Sequence, residues 1–169
     1  ETGRIKDKVK ISKIEDIGNS YKIFFDHSVE GLKAGAGFQN SDNMYNLSES
    51  ASPFIIRNCH FKSYRGRGIL VSAHHGIIEN NTFDVREGWG VVMYYENRRW
   101  GEGPMARDII IRDNIFNGHG GFQPAIYSFI NLGGQLADVR GIKDIKILDN
   151  RFLNLGVPAL ALNSTEDVL

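Results

Sequence analysis

With one cysteine, Cys59, the chain can form neither an internal disulfide nor a cysteine-based zinc site. It has no surplus of charge either, with 20 Lys plus Arg against 20 Asp plus Glu and a sequence pI near 7.2. A nucleic-acid or acidic-membrane partner would need a basic excess, so neither is expected. No apolar run approaches the roughly 20 residues that span a bilayer. Three signatures of chemistry are also missing: a Ser-His-Asp spacing, a phosphate-cradling loop and a two-histidine zinc motif. Neither a metal nor a cofactor is expected.

What the chain does have is enough apolar residue for a core, 41% of 169 residues, which suits one domain or one domain with a small appendage. Glu1-Thr2-Gly3 reads as a vector scar left after removal of a secretion signal, and the expected location is secreted or periplasmic. Sequons stand at Asn46, Asn80 and Asn163, and each is a glycan acceptor only in a eukaryotic secretory pathway. Asn80 falls within a repeat, where a structural role is expected.

The repeat dominates the sequence. Four segments align without gaps: Phe54-Ile-Ile-Arg-Asn-Cys-His-Phe61, Gly76-Ile-Ile-Glu-Asn-Asn-Thr-Phe83, Ile109-Ile-Ile-Arg-Asp-Asn-Ile-Phe116 and Ile145-Lys-Ile-Leu-Asp-Asn-Arg-Phe152. Each is a short β-rich strand, a polar Asn/Asp pair and a phenylalanine. After a few turn residues a second apolar strand follows, at Gly68–Val71, Gly90–Met93, Ala125–Tyr127 and Ala159–Leu162. These runs are too short and too β-branched for helices. The spacing from Phe61 to Phe83, about 22 residues, is that of one coil of a β-solenoid.

The next two intervals are longer by roughly half a coil, which predicts excursions at Tyr95–Ala106 and Asn131–Lys143, both rich in glycine and charge. The predicted fold is all-β: a right-handed parallel β-helix of about four coils over residues 51–169. An antiparallel β-sandwich with similar short strands is the alternative.

Within that fold, Cys59, Asn81, Asn114 and Asn150 should stack from coil to coil as an Asn ladder, with Cys59 ending it in a small buried site. The phenylalanines should form a second, interior stack. Residues 1–50 lack the repeat. There Lys8–Ile14 and Tyr21–Phe25 alternate polar and apolar residues around Gly18-Asn19, as a β-hairpin with one solvated face would. Gly31–Gly37 then reads as a loop. Four coils leave two open ends, and solenoids need caps or partners. The chain is therefore expected either to be a fragment of a longer parent chain or to self-associate through an end.

Chemistry concentrates in Trp89-Gly-Val-Val-Met-Tyr-Tyr-Glu-Asn-Arg-Arg-Trp-Gly-Glu102. If Val91 and Met93 point into the coil, period-2 alternation sends Val92, Tyr94 and Glu96 outward. His74 lies about one coil earlier, where an outward histidine beside Glu96 would make a coupled acid/base site. Aromatic rings stack on the apolar face of a pyranose while paired carboxylates serve as acid and base, so this stretch reads as a sugar site. Glu96 and Glu102 are the candidate catalytic pair, with Asp84 and Glu87 in reserve. Trp89, Tyr94, Tyr95 and Trp100 would shape the site, and Arg65 and Arg67 could hold a carboxylate or sugar hydroxyls, or simply be turn residues entering a strand.

The bland reading has the aromatics capping the core and the carboxylates paired with Arg98, Arg99 or Arg107. Adjacent His74 and His75 should point to opposite faces of a strand, which counts against a metal site. His119 reads as an exposed turn residue, and Asp113 and Asp149 as structural.

The strand Arg65-Gly-Arg-Gly-Ile-Leu-Val-Ser72 carries a resemblance, together with Gly76–Phe83, Gly90–Met93, Trp100 with Glu102, and Asp108–Phe116. Over about residues 50–130 the chain resembles the β-helix enzymes of glycoside hydrolase family 110. The resemblance implies an inverting α-galactosidase acting on terminal α-1,3-linked galactose. It also implies an aspartate after the second-coil strand, where this chain has Glu96, one methylene longer. The expected partner is a carbohydrate and the expected activity glycoside hydrolysis. The alternatives are a non-catalytic glycan-binding or structural β-helix module, and a polysaccharide lyase working on an acidic sugar through Arg65, Arg67, Arg98 and Arg99.

Overall fold

Each copy of the repeat turns a corner at its Asn/Asp pair, and the two members of the pair do different work. In the computed structural model, which describes residues 5–33, 35, 42–50, 52–96, 103–118, 120–132, 135–136 and 139–169, the first member is left-handed. The φ values are 55° at Asn58, 53° at Asn80, 53° at Asp113 and 52° at Asp149. Among residues with a Cβ, Asn and Asp tolerate this region best, because their short polar side chains bond locally. The second member points inward and joins coil to coil. Asn114 Oδ1 accepts from the Asn81 backbone amide at 2.9 Å and from Asn81 Nδ2 at 3.0 Å. Asn150 Oδ1 accepts both equivalent bonds from Asn114 at 3.0 Å. Each Nδ2 also donates to a carbonyl one coil back, at Ile56, Ile78 and Ile111. Asn81 and Asn114 are fully buried and fully occupied.

The corner separates faces of a parallel coil. The first face stacks β3 (Phe54–Arg57), β5 (His74–Glu79), β7 (Arg107–Arg112), β11 (Ile142–Leu148) and β14 (Thr165–Val168), all parallel. The second face holds the first half of β4 (His60–Val71), the first half of β6 (Thr82–Glu96), β8 (Ile115–Asn117) and β12 (Arg151–Leu153). The third holds the second halves of β4 and β6, then β9 (Ile126–Leu132) and β13 (Leu160–Leu162). The expected strand-turn-strand is thus one continuous strand in the first two coils. It bends at Gly66 and Gly88, which are paired in register with φ of 115° and 137°. A Cβ on Gly88 would sit 1.7 Å from the Gly66 carbonyl oxygen, so only glycine fits the bend.

Coil periods follow the ladder of pairs, with 22 residues from Cys59 to Asn81, 33 to Asn114 and 36 to Asn150. The excess leaves as excursions. In the second, β9 runs on through the expected loop start at Asn131, and β10 (Gln135–Leu136) returns antiparallel against it. Residues 97–102 of the first expected excursion lie outside the described residues, as do His119 and three residues of Gly31–Gly37, at 34, 36 and 37.

Inside the coil Phe61, Phe83, Phe116 and Phe152 form one column. Centroids are 4.8, 4.7 and 5.2 Å apart and ring planes lie within 12° of parallel. That spacing is the strand separation itself, so the sheet sets the stack. Phe83 and Phe116 are completely buried, worth about 1.5–3 kcal/mol each in transfer alone. Isoleucines from the first face, Ile78, Ile109, Ile111 and Ile145, close the core from the other side.

Two expectations need correction. Cys59 is exposed rather than buried: its amide donates to Asn81 Oδ1 at 3.0 Å, but no described coil lies on its other side. The N-terminal hairpin pairs β1 (Ile11–Asp16) antiparallel with β2 (Tyr21–Phe25) around Gly18, φ 91°. Its apolar side is left open, since the paired Ile14 and Ile23 are 56% and 39% exposed. Among the described residues no helix is long and apolar enough to cross a membrane.

Candidate functional site

Strict alternation along β6 would put Trp89 inside the coil, with Val91 and Met93. The structure breaks the alternation with a bulge. The amides of Gly90 and Val91 both donate to the Ala125 carbonyl, at 2.9 and 3.0 Å, so two residues of β6 oppose one of the next coil. Gly90 takes the inward slot, where a Cβ would lie 2.7 Å from the Phe116 ring. Trp89 is thereby turned outward, onto the side of Val92, Tyr94 and Glu96. Val91, Met93 and Tyr95 stay in the core.

The outward residues meet side chains that the next coil supplies in register. Val92 pairs with Tyr127, Tyr94 with Phe129 and Glu96 with Asn131. The result is a strip of rings on the outside of the third face. Tyr94 and Phe129 centroids are 4.4 Å apart, Phe129 and Tyr127 4.5 Å, and Tyr127 and Trp89 5.9 Å. Arg67, one coil earlier and in register with Trp89, lays its guanidinium 5.4 Å from the Trp89 ring and 5.9 Å from Tyr94. Such cation–π contacts are worth about 0.5–1 kcal/mol at exposed sites. The Trp89 Nε1–H is buried and meets no acceptor among the described residues.

At the end of the strip stands Glu96. It is 9% exposed, and its Oε2 accepts a 2.7 Å bond from the Tyr94 hydroxyl. A buried carboxylate at a strand end, beside a phenol and an aromatic wall, has the chemical makings of a proton donor or acceptor.

The structure therefore brings together Trp89, Tyr94, Glu96 and Arg67 from the expected set. Tyr95 faces the interior, edge-on to Tyr45 with centroids 6.4 Å apart. Arg65 is exposed at the preceding corner, in register with Glu87. Asp84 lies on the second face, engaged by His60 at 2.6 Å and Asn117 at 2.9 Å. Those two partners, Asn117 first, hold its carboxyl below the usual carboxylate range. Glu102 and Trp100 lie outside the described residues.

His74 is not stacked on Glu96. The chain leaves the coil after Glu96, so the partner of His74 in the next coil is Arg107, on the first face. Burial pushes the His74 pKa down, with the charges of Arg107, His75 and Lys8 acting the same way against a backbone bond at Met105. His74 and His75 do not point to opposite faces either. His75 is left-handed, φ 55°, which interrupts alternation and leaves the two rings 6.1 Å apart.

Tyr127 and Phe129 are the residues that sequence reasoning missed. Their signal was the alternation of Ile126-Tyr-Ser-Phe-Ile-Asn131, which marks a strand longer than the three residues assigned to it.

The parallel three-faced coil is matched by a family model. The model, described as a right-handed beta helix region, matches residues 8–134. The chain belongs to the right-handed β-helix family. Within a 62-residue stretch it is 44% identical to alpha-1,3-galactosidase B of Bacteroides thetaiotaomicron, a stretch that is 36% of this chain and 10% of that protein. The matched stretch thus spans a tenth of that relative's length. No solved structure matches this β-helix chain.

Proposed function

We propose that the outer strip of the third face is a carbohydrate site, that the chain is carbohydrate-active in the manner of a glycoside hydrolase, and that Glu96 is one of its two acid/base carboxyls. The observation that carries the reading is Glu96, a carboxylate withdrawn from water at the end of an aromatic strip outside the coil. Rings of this kind stack against the apolar face of a pyranose, and the Arg67 guanidinium beside them offers donors to sugar hydroxyls. The likeness to an α-1,3-galactosidase makes terminal α-linked galactose the first substrate to try.

Hydrolysis with inversion needs a second carboxyl about 6.5–9.5 Å from the first, leaving room for a water. Glu102, six residues after Glu96 in the sequence, is the candidate for it. Glu87, exposed at the corner before Trp89, is the reserve.

The second reading is a glycan-binding module without turnover, and the Tyr94–Glu96 bond favours it, since a carboxylate held by a neighbouring hydroxyl can be purely structural. One assay separates the two. Aryl glycosides and α-galactosyl oligosaccharides are incubated with the parent chain and with Glu96→Gln, which keeps an acceptor for Tyr94. Galactose released by the parent and not by the variant supports the hydrolase. Hydrolysis retained in the variant removes Glu96 from the mechanism, and saturable binding without product supports the module.

A further inference from the structure

On the first face, away from the aromatic strip, His74, Arg107 and Lys143 occupy one register position on three successive coils. Neighbouring strands lie about 4.8 Å apart, so three basic side chains stand side by side along the helix axis. Like groups directly opposite each other destabilise a sheet, and each needs an answer.

Lys143 has one in its ion pair with Glu166, which continues the row on β14. In the next row the left-handed His75 and Asp108 pair with each other, at 2.6 Å. His74 is held toward its neutral form, first by burial and then by the charges around it. Arg107 has no answer among the described residues. Its side chain is half-buried, its Nε–H is buried without an acceptor, and no carboxylate pairs with it among the described residues. A guanidinium cannot lose its charge, and a buried cationic donor left unsatisfied is costly.

We infer that the Arg107 corner is a binding site for an oxyanion, a carboxylate or sulfate group received by the guanidinium fork with His74 and Lys143 on either side. The planar fork matches two oxygens of such a group, which a lone ammonium does not. The inference is independent of the sugar site, since it concerns a different face and different residues. Solvent does not reach Nε, and His74 and Lys143 flank Arg107 in register on the neighbouring strands. His74 therefore reports on occupancy.

The test follows the His74 ring proton by NMR in the 169-residue chain at fixed ionic strength. The probes are sodium sulfate, a galacturonate trisaccharide and a neutral galactose trisaccharide, with sodium chloride as the balancing salt. A saturable His74 shift with sulfate and with the acidic trisaccharide, absent with the neutral one, supports the site. Tighter binding of the acidic trisaccharide than of sulfate marks a glycan as the source of the anion. Equal binding marks a free anion. In Arg107→Met the shift should vanish. In Arg107→Lys, which keeps the charge and loses the fork, affinity should fall at least about tenfold, and this variant decides the matter if Arg107→Met does not fold. No saturable shift with either anion, or an unchanged affinity in Arg107→Lys, overturns the site.

Discussion

Two aromatic assemblies sit on opposite sides of the same sheet, and they are built differently. The inner column of Phe61, Phe83, Phe116 and Phe152 is regular, one ring per coil and nearly parallel, with no polar atom in it. The outer strip of Trp89, Tyr94, Tyr127 and Phe129 draws two residues from each of two coils, with planes tilted by 18–38°. It contains a cation in Arg67, a buried acid in Glu96 and an indole N–H with no acceptor among the described residues. A stack that serves only stability can repeat one residue in one slot. A surface that meets a ligand needs different residues at unequal heights, and it keeps polar atoms that the fold itself does not satisfy.

The sharpest way to break the comparison is to cut the column. Phe83→Ala should cost about 3–5 kcal/mol, as a fully buried phenylalanine removed from between two rings does, and denaturant unfolding measures it. If that cost falls under about 1 kcal/mol, the column is not what holds the coils together. Next comes Asn114→Ala, which strips partners from the Asn81 amide, Asn81 Nδ2 and the Ile78 carbonyl at once. With each unsatisfied buried group costing about 1–3 kcal/mol, a loss of about 3 kcal/mol is expected in the same assay.

In the outer strip the order of effects should reverse. Trp89→Phe keeps a ring and should leave stability within about 1 kcal/mol. It should nonetheless weaken sugar binding measured by calorimetry, because the indole face and its N–H are gone.

The smallest effect is the pH dependence carried by His74. Its native pKa is depressed, so the unfolded chain takes up the proton first as pH falls below about 6.5. Stability from this group is complete above that value and declines as pH drops through the native pKa. His27 has the opposite sign, since its bond to Asp7 raises its pKa, and its contribution fades as pH rises through that raised value. A His74→Gln variant should flatten only the acid side of a stability-versus-pH curve.

Most of the fold was legible because the repeat is written in residues whose roles have one physical solution. An Asn or Asp before an inward Asn reads as a left-handed corner, and a phenylalanine two residues later reads as a core stack. The site was legible only in part. Glu96 and Tyr94 follow from alternation, but Trp89 reaches the same side through a bulge that no alternation rule contains. Tyr127 and Phe129 come from the next coil, each 35 residues on from its register partner, and which residue of one coil meets which of another depends on the length of an excursion. The same dependence misplaced His74: counting 22 residues forward lands on Glu96, which still belongs to the third face, whereas the register partner of His74 is Arg107 on the first face.

The bulge at Gly90–Val91 has a consequence for how such a surface can change over time. Between the corner at Gly88 and the end of the strand it shifts the phase of the alternation: Gly90 and Val91 both take inward slots, so Trp89 faces out while Val91, Met93 and Tyr95 face in. Regular pairing of the same residues, with no bulge, would return Trp89 to the interior beside Val91 and Met93, whereas removing one residue, Gly90, would restore alternation and leave Trp89 outside. Inserting one at the equivalent place in another coil would swing a buried residue outside. A β-helix can therefore acquire a recognition surface through a single-residue insertion at a glycine, while the columns that hold it together keep their count.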